Sequence, residues 1–147
     1  MSYGTSANNR QLLITPYTPD RTELIGNNTK QASYLDIGKP VKLSGDGVVL
    51  CADGDDIYGF IASVEAGSKG GKSYGAVACD AGREAIAIDE AGGLAVGGLV
   101  VAGTAVAFGA TGIANVKTGS PSVHRWIVIG TEVSPSTAGK EVLLRKL

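Results

Sequence analysis

The chain lacks an excess of either charge. Lys and Arg number 13 against 14 Asp and Glu, a formal net charge of −1. No field of one sign is available to attract nucleic acid or an acidic membrane surface, so neither is expected as a partner. Charged residues make up 18% of the sequence, where ordinary globular domains carry about 25%. Together with 44% apolar content, this suits a protein with much of its surface covered by partners better than a freely circulating monomer. Aromatic residues are scarce and spread out: one Trp, five Tyr and two Phe. A glycan-binding surface module, the rival reading for such a chain, would be expected to cluster them. No apolar run approaches the roughly 18 residues of a membrane span, and the N-terminus has no basic-then-apolar leader. The two cysteines, Cys51 and Cys79, each lie in an alternating apolar run. Free buried thiols in a reducing compartment are the favoured expectation, with a disulfide as the alternative.

Catalytic groups are also sparse. His124 is the single histidine, and a Ser-His-Asp triad would have to use it. No G-x-S-x-G elbow accompanies it, so a polar residue at the start of a strand is the simpler expectation. One His and two distant Cys give no zinc spacing. Asp53-Gly54-Asp55-Asp56 is as acidic as a calcium loop but lacks its alternating register and its closing Glu, and reads as a solvated turn. The stretch Glu65–Tyr74, EAGSKGGKSY, ends like a phosphate-binding loop in Gly71-Lys72-Ser73. The pattern requires glycine at 66, where Ala66 stands, and Gly67 is one place late. The residues after Ser73 are strand-like, whereas a phosphate loop opens a helix. A nucleotide hydrolase using Lys72 and Ser73 is thereby disfavoured, and no cofactor or metal is expected.

Glycine is abundant: 22 residues, roughly twice the usual share of about 7%. They punctuate short apolar runs without a three-residue period, which excludes collagen and implies many tight turns. Residues 1–33 differ in texture from the remainder. They contain Pro16, Pro19, four Asn and two short apolar islands, Leu12-Leu13-Ile14 and Leu24-Ile25. Neither island sustains helical periodicity, so an extended arm lying across a partner is expected, ahead of a glycine-rich β domain at 34–147.

Strand candidates succeed one another from Tyr34. Val41–Leu43 and Val48–Ala52 flank a Ser-Gly-Asp-Gly turn, and Ile57–Glu65 carries Gly59. Tyr74–Cys79 and Glu84–Asp89 flank Asp80-Ala81-Gly82-Arg83, a hairpin signal, and Arg125–Val133 and Glu141–Leu147 end the chain. Asp89 could open one helical turn, but the glycine pairs at 92–93 and 97–98 oppose a long helix. The text also matches itself: Gly38, Val41, Leu43, Gly47 and Val48 correspond in spacing to Gly103, Val106, Phe108, Gly112 and Ile113. A pseudo-symmetric body of two related halves is one explanation, chance in a Gly- and Val-rich chain the other. The expected class is mainly β, a small barrel or sandwich.

Several of these segments carry a resemblance. GKPVKL at Gly38–Leu43, ADGDDIYGFIAS at Ala52–Ser63, REAIAID at Arg83–Asp89, GTAVAF at Gly103–Phe108 and WIVIGTEV at Trp126–Val133 occur in that order. The pattern resembles the head decoration, or capsid cement, proteins of tailed bacteriophages over roughly residues 34–147. The resemblance implies a small β-barrel or β-tulip-like body that clamps the outer surface of an icosahedral shell after synthesis in the host cytoplasm. It implies a homotrimer at three-fold or quasi-three-fold positions, with arms reaching across neighbouring major capsid subunits. On that reading Leu12, Leu13, Ile14, Tyr17, Leu24 and Ile25 are the capsid-contacting residues of the arm. The long arm and the Gly-Lys-rich loop at 67–73 depart from the family pattern.

Overall fold

The computed structural model describes residues 34–44, 47–64, 75–107, 109–112, 114–131 and 141–147. The arm at 1–33, with its six proposed contact residues, and the Gly-Lys-rich loop lie outside them. The described chain is mainly β and contains a closed five-stranded barrel.

Two sheets divide the strands. The first four are β1 (Pro40–Ser44), β2 (Gly47–Leu50), β3 (Gly59–Val64) and β4 (Gly75–Ala78). They form an antiparallel sheet in the order β2-β1-β3-β4. The last five are β5 (Glu84–Asp89), β6 (Leu99–Ala102), β7 (Asn115–Thr118), β8 (Trp126–Thr131) and β9 (Glu141–Lys146). Their order is β5-β7-β6-β8-β9, with β9 paired back to β5 to close the barrel. Only β5 and β7 run parallel. Bulges at Ile61/Ser63 in β3 and at Val128/Gly130 in β8 bend the strands that carry them.

Period-two alternation drives burial in the barrel. Val142, Leu144 and Lys146 of β9 point inward, as do Trp126 and Val128 of β8 and Ala87 of β5. The first sheet contributes to the same core: Cys51, Ile57 and Phe60 cluster with Val100, Val116, Trp126 and Leu144. Phe60 meets Trp126 edge-to-face at 4.7 Å between ring centroids, and the indole Nε1 donates to the Ile57 carbonyl at 3.0 Å. This pairing seats one face of the sheet on the barrel. The other face holds a separate cluster of Val41, Val48, Ile61, Val77 and Cys79. At Gly59 a Cβ would lie 2.6 Å from both the Ala78 carbonyl and Val77 Cγ1, so β3 and β4 approach too closely there for a side chain.

Three expectations are corrected. The turn at Asp80–Arg83 forms, with Arg83 N–H donating to the Asp80 carbonyl at 3.0 Å and Gly82 at φ 86°. It does not make a hairpin, because β4 pairs with β3 while β5 pairs with β7 and β9. The turn chemistry is local, and it carries the chain from sheet to barrel. The internal match does not describe two equivalent halves either. Val41 and Leu43 lie in β1, whereas Val106 lies in an irregular connection between β6 and β7, and one half is an open sheet while the other is closed. Lastly, Asp89 opens no helical turn: its carboxylate accepts from Gly92 N–H at 2.8 Å and Leu94 N–H at 2.9 Å, folding the glycine-rich stretch as a turn. The strands β6 and β7 were not among the sequence candidates.

Candidate functional site

The residues just ahead of β1 hold a buried ion pair. Tyr34–Asp36 form one 3-10 turn, and Asp36 and Lys39 are both fully buried. Lys39 Nζ lies 2.7 Å from Asp36 Oδ1 and also donates to the Ala107 and Ala110 carbonyls at 2.7 Å each. Asp36 Oδ1 accepts in addition from Gly109 N–H at 2.8 Å. The ammonium's three hydrogens are thus used, two of them on the connection between β6 and β7. The backbone adds Gly38 N–H to the Ile61 carbonyl at 2.7 Å and Ile61 N–H to the Lys39 carbonyl at 3.0 Å. The segment ahead of β1 is therefore held by sheet and barrel at once.

A second polar group lies on the seam between the two lobes. Lys146, inward-facing at the end of β9, donates from Nζ to the Tyr58 carbonyl at 2.7 Å and sits 3.4 Å from His124 Nδ1. The ammonium lies 5.2 Å from the Tyr58 ring centre and 5.6 Å from that of Trp126, within cation–π range. Tyr58 and His124 stack edge-on at 5.1 Å. Burial holds the Lys146 ammonium below the usual lysine range, against the pull of Cys79 and Asp80. Burial, then the Lys146 charge, lowers His124, with Asp56 opposing. In the neutral Nε2–H tautomer the His124 Nδ1 accepts from the ammonium. The Tyr58 hydroxyl is raised by burial and by the neighbouring Cys79 thiol. The arrangement pins Tyr58 of the sheet lobe to β8 and β9 of the barrel.

The acidic turn is solvent-exposed at Asp53 and Gly54, as expected, and its carboxylates also have partners. Asp53 pairs with Lys117 at 2.8 Å, and Asp55 pairs with Lys42 at 2.7 Å while accepting from Ala52 N–H. Asp56 accepts from the Ser122 and Val123 amides at 2.8 Å each. The three carboxylates thus face different partners and do not converge. Among the described residues no group of three or more His, Cys, Asp or Glu could hold a metal ion. Val64 and Gly75 face each other across the β3–β4 ladder, and Gly71-Lys72-Ser73 lies outside the described residues.

Cys51 and Cys79 are free and buried. Burial, reinforced by Asp55, pushes the Cys51 thiol up to about 12, which keeps it protonated at neutral pH. Sequence reasoning passed over Lys39 and Lys146. Lys146 had a signal, since alternation places it on the same face as Val142 and Leu144. Lys39 had a weaker one, an Asp three residues earlier. No described helix is long and apolar enough to cross a membrane. No family model, curated protein or solved structure matches this chain.

Proposed function

We propose that this protein is a structural component of a tailed-phage virion that binds the outer surface of the capsid and stabilises the expanded head by bridging major capsid subunits. It performs no catalysis. The arm supplies the contacts: Leu12, Leu13, Ile14, Tyr17, Leu24 and Ile25 enter pockets or lie along an exposed strand edge of the neighbouring subunit. Repetition over a lattice gives avidity without a deep site. Trimeric placement at three-fold or quasi-three-fold positions is what the resemblance to cement proteins implies.

The observation that carries this reading is the buried Asp36–Lys39 pair, which ties the root of the arm to the β6–β7 connection. A bridging arm has to pass load into a body that does not yield, and a root anchored in both lobes meets that need. The test removes residues 1–30 and measures occupancy on heads that lack the protein. Occupancy should fall steeply. Undiminished occupancy would sink the arm's role.

A further inference from the structure

The connection from β7 to β8 crosses the seam between the two lobes. Pro121 in it is buried, while Ser122, Val123 and Arg125 are exposed and His124 is half-buried. The segment ahead of β3 holds it at two places. Asp56 accepts from the Ser122 and Val123 N–H groups at 2.8 Å each, and the Tyr58 ring meets His124 edge-on at 5.1 Å. A third contact comes from β9, whose Lys146 Nζ lies 3.4 Å from His124 Nδ1. Leu147 N–H donates to the Arg125 carbonyl at 3.0 Å, where the connection enters β8.

His124 is the chain's single histidine, the side chain that ordinarily changes charge between about pH 5 and 8. A proton added at Nδ1 removes the acceptor that faces the ammonium. It also sets two cations against each other at a half-buried site, where salt and water screen them poorly. The surroundings do not relieve this. The Tyr58 carbonyl already accepts from the ammonium at 2.7 Å, and the Tyr58 ring already carries it at 5.2 Å. Asp56 is the carboxylate on the histidine side, and it is engaged with the two backbone amides. Cys79 and Asp80, at the end of β4, act on the ammonium. Burial, then the Lys146 charge, lowers His124, so the closed arrangement binds the proton more weakly than an open one would. Protonation therefore favours opening.

We infer that residues 122–125 form a proton-released strap: neutral His124 holds it over Tyr58 and Lys146, and protonated His124 swings out and opens this edge of the seam. A half-buried ring needs only a short outward turn to reach water. The release is local. The Phe60–Trp126 ring contact and the indole bond to the Ile57 carbonyl involve no titratable group, so sheet and barrel stay joined while the strap lifts. The strap is closed above the ordinary histidine value of about 6.5 and opens as pH falls through the lowered one. The movement lies within one chain and does not rest on the assembly reading.

The test is an NMR titration of the full-length chain from about pH 7.5 to about 4.5. The single imidazole gives one titrating set of signals, with a midpoint expected below about 6.5. Cross-relaxation peaks between the His124 and Tyr58 rings should weaken roughly tenfold or more across that midpoint, as a strap mostly open requires. Peaks between Phe60 and Trp126 should persist. Lys146→Met should raise the midpoint and keep the His124–Tyr58 peaks on both sides of it. His124→Gln should leave the Tyr58 ring signals unchanged over the whole range. Survival of the His124–Tyr58 peaks below the midpoint in the unmodified chain overturns the inference. So does their loss together with the Phe60–Trp126 peaks, which would mean global unfolding, or a Lys146→Met midpoint no higher than the original. If Lys146→Met does not fold, His124→Gln decides: Tyr58 signals that still move with pH refute the strap.

Discussion

Replacing Lys39 by methionine tests whether the segment ahead of β1 is held by a buried ion pair. The substitution keeps the length of the side chain and removes the ammonium. Asp36, fully buried, then loses the charge 2.7 Å from its Oδ1, and the Ala107 and Ala110 carbonyls lose their donor. Removing one partner of such a pair costs about 3–5 kcal/mol, because the other charge stays buried without its counter-charge, here with the Gly109 N–H still donating to it. For a chain of about 150 residues that corresponds to a fall in Tm of roughly 6–20 °C. Total stabilities of about 5–15 kcal/mol leave most of that range compatible with a folded protein. The single Trp126, fully buried in the barrel core, reports unfolding by fluorescence in a urea titration. The double variant Asp36→Leu/Lys39→Met should recover most of the loss, since a buried pair exchanged for apolar groups is often close to neutral. The reasoning fails if Lys39→Met costs less than about 1 kcal/mol. It fails equally if the double variant is as unstable as the single one.

Further outcomes are expected elsewhere. His124 titrates below its ordinary range in the folded chain, so the unfolded chain takes up its proton first and stability declines as pH falls from about 7 toward the lowered value. Thermal melts at pH 7.5 and 5.5 should show that decline, and His124→Gln should flatten it; an unchanged slope would reject His124 as its source. Gly59→Ala forces a Cβ to within 2.6 Å of the Ala78 carbonyl and should destabilise by about 1–3 kcal/mol in urea unfolding. Trp126→Phe leaves the buried Ile57 carbonyl without its indole donor and should cost about 1–3 kcal/mol, followed by circular dichroism. Iodoacetamide should modify Cys51 at neutral pH only at the rate of unfolding, which mass spectrometry of the labelled chain would measure.

Local elements were legible in the sequence. Alternation in Val41–Leu43, Glu84–Asp89, Arg125–Val133 and Glu141–Leu147 marked strands that β1, β5, β8 and β9 occupy to within a few residues. Harder to read were β6 and β7, four residues each, where LVVA offers an apolar run without alternation and NVKT a single inward valine. The sites divide in the same way. Lys146 was visible in principle from its register, but its partners Tyr58 and His124 come from distant parts of the chain. The proposed contact residues Leu12, Leu13, Ile14, Tyr17, Leu24 and Ile25 fall outside the described residues.

By itself the sequence determined the β class, the frequent tight turns and the absence of a strong charge field. Each rests on a property that a few adjacent residues or the bare composition express: alternation, glycine's conformational range, the balance of charges. Only the tertiary structure decided that the turn at Asp80–Arg83 leads out of a sheet instead of joining two partners, and that β5 closes against β9. It also decided that a lysine beside an ordinary-looking strand start is buried against a connection far along the chain. Those outcomes depend on which distant surfaces bury each other, and a turn or a two-residue period reads the same whichever partner the strand finds.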